Sequence, residues 1–323
     1  MSKHRVDGAK NLGARPRSTL VIIGNFDGVH RGHQAVLGAS AEVAKQSGLS
    51  PVVLTFHPHP AEVLGRGVLP VLTTVERKIE LIARVDPDFA VVVEPFDTEL
   101  ARVEPDEFAE RLLKNGLGAK SVVVGQNFRF GRNRSGDLPC LERLGERFGF
   151  DVRAEALHGD ERGAFSSTRV RAALAKGELD DVCAELGRPH SLSGPVVRGA
   201  GRGRSIGVPT ANLGSVPEAL PPYGVYACLV DRLGPEGPRA LAAGAANVGV
   251  RPTAGAGFGV EVHLFDFHGD LYGAELRVHL VRRLRDERRF PDFGALRAQI
   301  ERDIAEARAA LAGSVPRADG AWS

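Results

Sequence analysis

The sequence predicts an α/β protein of two domains: a parallel sheet wound on both faces, then an antiparallel β-barrel followed by a terminal helix. Three observations carry this. Between Leu20 and Ala154 short β-branched runs alternate with helical periodicity, as strands joined by crossover helices do. From Leu192 onward the texture changes to short strands separated by Gly and Pro, which suits an antiparallel barrel. At 323 residues and 43 % hydrophobic, the chain is longer than one typical domain and has apolar material for two cores.

Composition narrows the function. Lys+Arg 42 against Asp+Glu 40 leaves a net charge of +2, which argues against a dedicated nucleic-acid binder. Cys140, Cys183 and Cys228 are isolated and lack metal-ligand spacing, so free thiols in a reducing cytoplasm are expected. The segment through Arg17 is polar and charged, unlike a signal peptide, and is expected to fray before Thr19. No apolar run has the length of a membrane span, so no membrane partner is expected.

Leu20 to Ile23 is a charge-free run suited to a strand buried on both faces. Gly24 ends it, and Gly28 and Gly32 leave the turn open to close backbone approach. A helix then carries Val36, Ala39 or Ser40, Val43 and Ala44 on one face and stops at Gly48. His30 and His33 therefore stand at a helix mouth, where free N–H groups and the dipole attract phosphate. A zinc pair would want further ligands, and no Cys lies nearby. The second strand, Pro51 to Phe56, runs into the stiff loop His57-Pro58-His59-Pro60.

Thr73 with Glu76 reads as a capping box for a helix burying Val75, Ile79 and Ile82. Phe89 to Val93 is a strand, and Pro105 opens a helix with Phe108 and Leu112 on one face. Ser121 to Val124 is a strand leading into the loop Gln126–Gly131. Leu141, Leu144 and Phe148 mark a helix ended by Gly149, and Phe150 to Ala154 is the last strand. Ligands of such sheets sit beyond the carboxyl ends of the strands. The loops Gly24–His33, His57–Pro60 and Gln126–Gly131 should therefore surround one site. Further on, Ser167 reads as an N-cap with Arg171 one turn later on the same face; hydroxyls, free N–H groups and a guanidinium together suit β- and γ-phosphates.

The string Gly-Asn-Phe-Asp-Gly-Val-His-Arg-Gly-His, from Gly24 to His33, contains the His-x-Gly-His signature of nucleotidylyltransferases. It resembles the adenylyltransferase half of bacterial bifunctional riboflavin kinase/FMN adenylyltransferases. Thr55 to Pro60 resembles the family's Thr-Phe-Asp-Pro-His-Pro, with His57 where Asp is usual. Gly125 to Gly131 resembles its Gly-x-x-Phe-x-Phe-Gly loop, and Ser166 to Arg171 its Ser-Ser-Thr-x-x-Arg motif. Ala164 departs from the Arg that relatives often carry, so one phosphate contact is lost unless Arg162 substitutes. The resemblance implies a Rossmann-like nucleotidylyltransferase domain over 18–186. It makes His30 and His33 catalytic, and assigns ATP to Gly24, Phe26, Asp27, Gly32, Asn127, Ser167, Thr168 and Arg171.

Gly187 and Pro189 end a short helix around Leu179 to Leu186, and the domain join is placed there. The strands that follow are Leu192–Val197, Gly224–Asp231, Ala240–Asn247, Val260–Phe267 and Glu275–Val281. The final helix, Phe293 to Leu311, carries Phe293, Leu296, Ile300, Ile304 and Leu311 on one side. The run Arg282 to Arg289 reads as a solvated face. Between the first two strands, Arg198 to Asn212 is Gly-rich and basic, able to wrap phosphate through backbone N–H groups but not a P-loop.

Pro209-Thr210-Ala211-Asn212 resembles the riboflavin kinase signature Pro-Thr-Ala-Asn. Gly224–Ala227, Asn247–Thr253, Glu261–His263, Asp270–Gly273 and Leu284–Glu287 extend the resemblance, so that it covers about Leu20 to Leu311. It implies an antiparallel-barrel riboflavin kinase domain over 187–312. There Glu261 is the catalytic base, Thr210 and Asn212 hold Mg²⁺ on ATP, and Gly201, Arg202, Gly207, Pro209 and Arg251 bind ATP or flavin. The implied activity is phosphorylation of riboflavin to FMN, then adenylyl transfer from ATP to FMN giving FAD and pyrophosphate. Two other readings stay open on the residues alone: a nucleotidylyltransferase for another phosphate acceptor, which leaves the second domain without purpose, and a flavin- or RNA-binding module without turnover.

Overall fold

The computed structural model describes residues 4–12, 18–65, 67, 70–156, 158–199, 203, 207–250, 258–317 and 319–322. Contacts divide the chain into two compact units. One takes in the residues up to 69 with Thr73–Ser166, the other Pro70–Leu72 with the residues from Ser167 onward. This division lies two helices earlier than the join read from the sequence after Leu186. Residues of those helices, among them Val170, Leu174 and Val182, share a core with the barrel.

The first unit is a parallel sheet of β1 (Arg5–Asp7), β2 (Thr19–Ile23), β3 (Ser50–His57), β4 (Ala90–Pro95), β5 (Ala119–Gly125) and β6 (Asp151–Glu155), ordered β1-β4-β3-β2-β5-β6. Alternate residues of one strand serve two cores. Val21 and Ile23 pack with Phe108, Leu112 and Leu141 on one face. Leu20 and Ile22 pack with Leu37, Ile79 and Ile82 on the other. The helices are α1 (Arg31–Gln46), the short α2 (Pro60–Val63), α3 (Val75–Val85), α4 (Pro105–Glu107) continuing as a π-helix over Phe108–Gly116, and α5 (Leu138–Phe148). A two-stranded hairpin, β7 (Gly159–Asp160) and β8 (Gly163–Ala164), closes the unit.

Three expectations change here. The segment before Thr19 does not simply fray: Arg5, Val6 and Asp7 pair in parallel with Val91, Val92 and Val93. A three-residue strand with one apolar side chain carries no periodicity, so the sequence did not announce it. On α1 the buried residues are Gly32, Leu37, Ser40, Ala41 and Ala44, while Ala39 is exposed. The cap of α3 is Thr74, whose hydroxyl accepts from Arg77 N at 3.2 Å. Thr73, the residue first assigned that role, is committed to Asp27.

In the second unit α6 (Ser167–Lys176) and α7 (Leu179–Leu186) precede a closed antiparallel barrel. Its strands are β9 (His190–Val197), β10 (Ala211–Leu213), β11 (Gly224–Gly234), β12 (Gly237–Val250), β13 (Phe258–Leu264) and β14 (Glu275–Asp286), in the order β10-β13-β12-β11-β14-β9 with β9 pairing β10. Inward residues such as Tyr226, Val248, Val262 and Val278 fill it. The three-residue β10 that closes the barrel was not expected. The terminal helix α8 (Phe293–Ala310) lies on the outer face. It buries Gln299, Asp303 and Ala307, whereas Phe293 is 73 % exposed. Most of the apolar stripe expected on one side of this helix lines a cavity, described below. The run Arg282 to Arg289 is likewise not a plain solvated face, since Arg285 donates to both carboxylate oxygens of Asp303 at 2.7–3.0 Å.

Candidate active sites

The first site lies at the carboxyl ends of the parallel strands. The chain runs β2-β3-β4 to one side and returns with β5 on the other flank of β2. The loops after β2 and β5 therefore part at this switch point, where such sheets bind ligands. Gly24 and Asn25 from the first, His59 and Pro60 from the loop after β3, and Asn127 to Gly131 from the loop after β5 line one cavity of about 520 Å³. Its apolar wall is aromatic: Phe56, Phe96, Phe108 and Phe128. These phenylalanines come from four separate segments; the sequence reading placed the Phe128 loop at the site and gave Phe56, Phe96 and Phe108 no part in it. His57 is exposed at the end of β3, and His59 caps α2 by accepting from Ala61 N at 3.1 Å.

His30 is the N-cap of α1, and its Nδ1 accepts from His33 N at 3.3 Å. The two rings stack with centroids 3.6 Å apart. Gly32 makes that stack possible, because a Cβ there would come within 3.1 Å of His30 Nδ1. Gly24 likewise leaves room for the Phe26 ring, which a Cβ would approach to 3.0 Å. Phe26 and Val29 hold left-handed backbone, φ 48° and 40°, a strained arrangement for such side chains. Asp27 helps hold it: this buried carboxylate accepts from Thr73 N at 3.2 Å, while Thr73 Oγ1 accepts from Gly28 N at 3.1 Å. His33 is kept well below its usual pKa, by burial first and then by His30 and Lys78. Its Nδ1 is buried without a hydrogen-bond partner among the described residues.

Ser167, Thr168 and Arg171 stand on α6, in the second unit. The helix begins at Ser167 itself, one residue before the reading that made Ser167 its cap. Arg171 donates to the carbonyls of Pro70 and Ser167 at 3.2 and 3.3 Å.

The second site is a row across the outer face of the barrel. Strand register sets Asn212 opposite Glu261, Glu261 opposite Asn247, Asn247 opposite Val225 and Val225 opposite Arg285. Opposed residues of an antiparallel pair point to the same face. Glu261, Asn247, Val225 and Arg285 line a cavity of about 460 Å³, together with Thr210, His263 and α8. The α8 contribution is Phe293, Leu296, Ile300 and Ile304, so the first part of the helix's apolar stripe walls a cavity, while Ile304 and Leu311 also pack with Ala227, Leu229 and Phe265. The half-buried Glu261 belongs to the polar side of this lining.

His263 ties the Pro209–Asn212 segment to β13. Its Nδ1 donates to the Pro209 carbonyl at 2.9 Å, which fixes the tautomer, since a carbonyl only accepts. Gly199 covers Asn212 so closely that a Cβ would lie 2.5 Å from its Nδ2. Gly207 is exposed with φ 78°. Gly201, Arg202 and Arg251 lie outside the described residues.

A nucleotide-sized cavity at the switch point of a parallel sheet, and a polar row with one carboxylate on a separate barrel, define a two-domain enzyme of the nucleotidyl- and phosphoryl-transfer class. The FAD synthetase family model matches residues 13–169, and the riboflavin kinase model matches 186–311. The chain is 40 % identical over 306 residues to the bifunctional riboflavin kinase/FMN adenylyltransferase of Escherichia coli K12, covering 94 % of this chain and 96 % of that one. It is 39 % identical to the Pseudomonas fluorescens protein of the same name over 97 % of this chain and 99 % of that one. For the Bacillus subtilis protein the figures are 34 %, 90 % and 91 %. A solved structure described as a macrolide-efflux protein from Streptococcus pneumoniae superposes with TM-score 0.79 at 28 % identity, over 93 % of this chain and 97 % of that one. The chain belongs to the bifunctional riboflavin kinase/FMN adenylyltransferase family.

Proposed function

We propose that this chain phosphorylates riboflavin to FMN with ATP and then transfers AMP from a second ATP to FMN, releasing pyrophosphate and FAD. One observation carries the reading: each unit has an apolar-walled cavity, able to take a flavin ring, lined in part by a segment suited to phosphate, Gly24 and Asn25 of the loop leading to α1 in the first and Gly203, Val208 and Thr210 in the second. In the first unit the flavin lies against Phe56, Phe96 and Phe128, beside Asn127. The FMN phosphate attacks the α-phosphorus of ATP directly, so no protein nucleophile is needed. His30, His33 and the free N–H groups of α1 hold the polyphosphate and its developing charge. Gly24 and Gly32 admit the backbone, and Phe26 and Asp27 act by holding the loop in its strained shape. Ser167, Thr168 and Arg171, on α6, are assigned to phosphate by their residue types and the family motif they match.

In the barrel the flavin ring lies against Leu296, Ile300 and Ile304, with its ribityl chain toward Glu261. Glu261 takes the proton from the 5′-hydroxyl as that oxygen attacks the γ-phosphorus and ADP leaves. Thr210 and Asn212 offer neutral oxygens, and among the described residues no cluster of three His, Cys, Asp or Glu forms a cage of its own. That donor set fits Mg²⁺ brought in on ATP, an ion that takes one or two protein oxygens and completes its shell with phosphate and water. When bound, it would neutralise phosphate charge. Gly201, Arg202, Gly207, Pro209 and Arg251 are assigned to the same nucleotide and flavin.

The partners are these small molecules, with neither nucleic acid nor membrane, and the compartment is the cytoplasm. All three cysteines are free thiols, and burial pushes the Cys228 thiol well up. No helix among the described residues is long and apolar enough to cross a membrane. The test is chromatography of flavins after incubation of the purified chain with riboflavin and MgATP. FMN should appear first and FAD after it; formation of neither would overturn the reading.

A further inference from the structure

Lys78, on α3, is a buried cation that neither half-reaction above uses; it is 7 % exposed. Its Nζ donates to Thr55 Oγ1 at 3.4 Å, and Thr55 Oγ1 donates to the Asn25 carbonyl at 3.1 Å. Burial makes its ammonium easier to deprotonate, and Asp27 acts the other way. Lys78 thus reaches the Gly24–His33 loop twice, through Thr55 to Asn25 and by charge to Asp27. A lysine in such a place is costly to keep charged, and a methionine of similar volume would pack there without that cost.

We propose that Lys78 is a positioning residue for adenylyl transfer: its buried ammonium braces the strained Gly24–His33 loop and sets one fixed positive charge beneath the mouth of α1, where a polyphosphate binds. This rests on the assignment of that mouth to ATP. Positive potential in a partly desolvated site acts more strongly on a polyphosphate than the same charge in water. The charge also opposes protonation of His33, together with His30 on the same helix mouth, while Asp27 is the acidic group that faces Lys78. A neutral His33 has one N–H to give. Its Nδ1 has no partner among the described residues, so Nε2–H is the natural donor to phosphate.

The test uses the full chain with Lys78→Met, Lys78→Arg and the pair His30→Ala/His33→Ala. Conversion of added FMN to FAD is measured for kcat and for KM of ATP, and riboflavin phosphorylation serves as the control. Lys78→Met should lower kcat/KM for FAD formation by about tenfold or more. Phosphorylation should be unchanged, and Lys78→Arg should restore part of the loss. In imidazole NMR the His33 titration should move up in Lys78→Met, because a positive neighbour is gone; a titration left in place would mean that Lys78 puts no charge at the helix mouth and would overturn the proposal. A loss smaller than tenfold in Lys78→Met, with FAD formation collapsed in the histidine pair, would overturn the proposal alone. FAD formation surviving in the histidine pair would overturn the site assignment itself. Should Lys78→Met fail to fold, Lys78→Gln removes the charge and keeps a polar end that can still meet Thr55. That variant folded with normal FAD formation overturns the proposal, and folded without it supports the proposal.

Discussion

The adenylyl site and the kinase site are built along different directions of the chain. The first follows the chain: strand, strained loop, helix mouth, all between Thr19 and His33. The second runs across it, through Asn212, Glu261, Asn247, Val225 and Arg285 on five neighbouring strands. The two also differ in chemistry. Adenylyl transfer asks only for oriented positive groups, because its nucleophile arrives already ionised. Phosphorylation of a hydroxyl asks for a base, and the row supplies one carboxylate.

That difference is broken most forcefully by His30→Ala/His33→Ala. Loss of one preorganised donor costs about 10²–10³ in rate, and this variant removes two. FAD synthesis should collapse while FMN accumulates from riboflavin. A fall of less than tenfold, read by chromatography, would remove the helix mouth from the mechanism.

Glu261→Gln makes the converse cut. It keeps the side-chain shape and removes the base, so riboflavin phosphorylation should drop by about 10²–10⁴-fold. Supplied with FMN, the variant should still form FAD at the parental rate, with a melting temperature close to the parent's. Kinase activity kept within threefold would take Glu261 out of the chemistry.

The same contrast explains what was legible. Gly24 to His33 could be read because its parts are adjacent, and the period of Val36, Val43 and Ala44 announces the helix that carries them. The kinase row could not be assembled that way. Asn247, Val225 and Arg285 meet Glu261 only through register, and no local pattern encodes register between β12, β11 and β14. Lys78 was invisible because a lysine inside a helix reads as solvated. The stripe on α8 was read as one apolar side without a role, since periodicity reports what avoids water and not whether the cover is protein or ligand. Ile300→Ala sharpens that point. Trimming a cavity wall that contacts flavin should raise the riboflavin KM by about tenfold, on the order of a kcal/mol or two of lost apolar contact, and leave the Tm nearly unchanged. A large fall in Tm with an unaltered KM would return the stripe to the core.

The smallest expected effect concerns the charge each unit buries. The first unit buries Lys78, which burial discourages from carrying its charge. The barrel unit buries Asp231, fully covered, with its charge favoured instead. Burial is the largest single influence and opposes ionisation of Asp231, but the His279 ring at 2.8 Å, the Trp322 N–H at 2.9 Å and Arg277 together outweigh it, so the carboxyl stays below the usual range. A carboxyl held low in the folded state stabilises the fold above its unfolded pKa of about 4, and that contribution fades as pH falls through the folded value. Asp231→Asn replaces one accepting oxygen by a donor facing His279 or Trp322. At pH 6 the variant should therefore unfold at lower urea than the parent. Toward pH 3 the parent's carboxyl also protonates, so the gap should narrow. Barrel unfolding followed by Trp322 fluorescence, from the one tryptophan in the chain, measures both midpoints. A gap that stays constant from pH 6 to pH 3 would mean that the ionised form of Asp231 contributes nothing, and that only the shape of its side chain matters beneath Trp322.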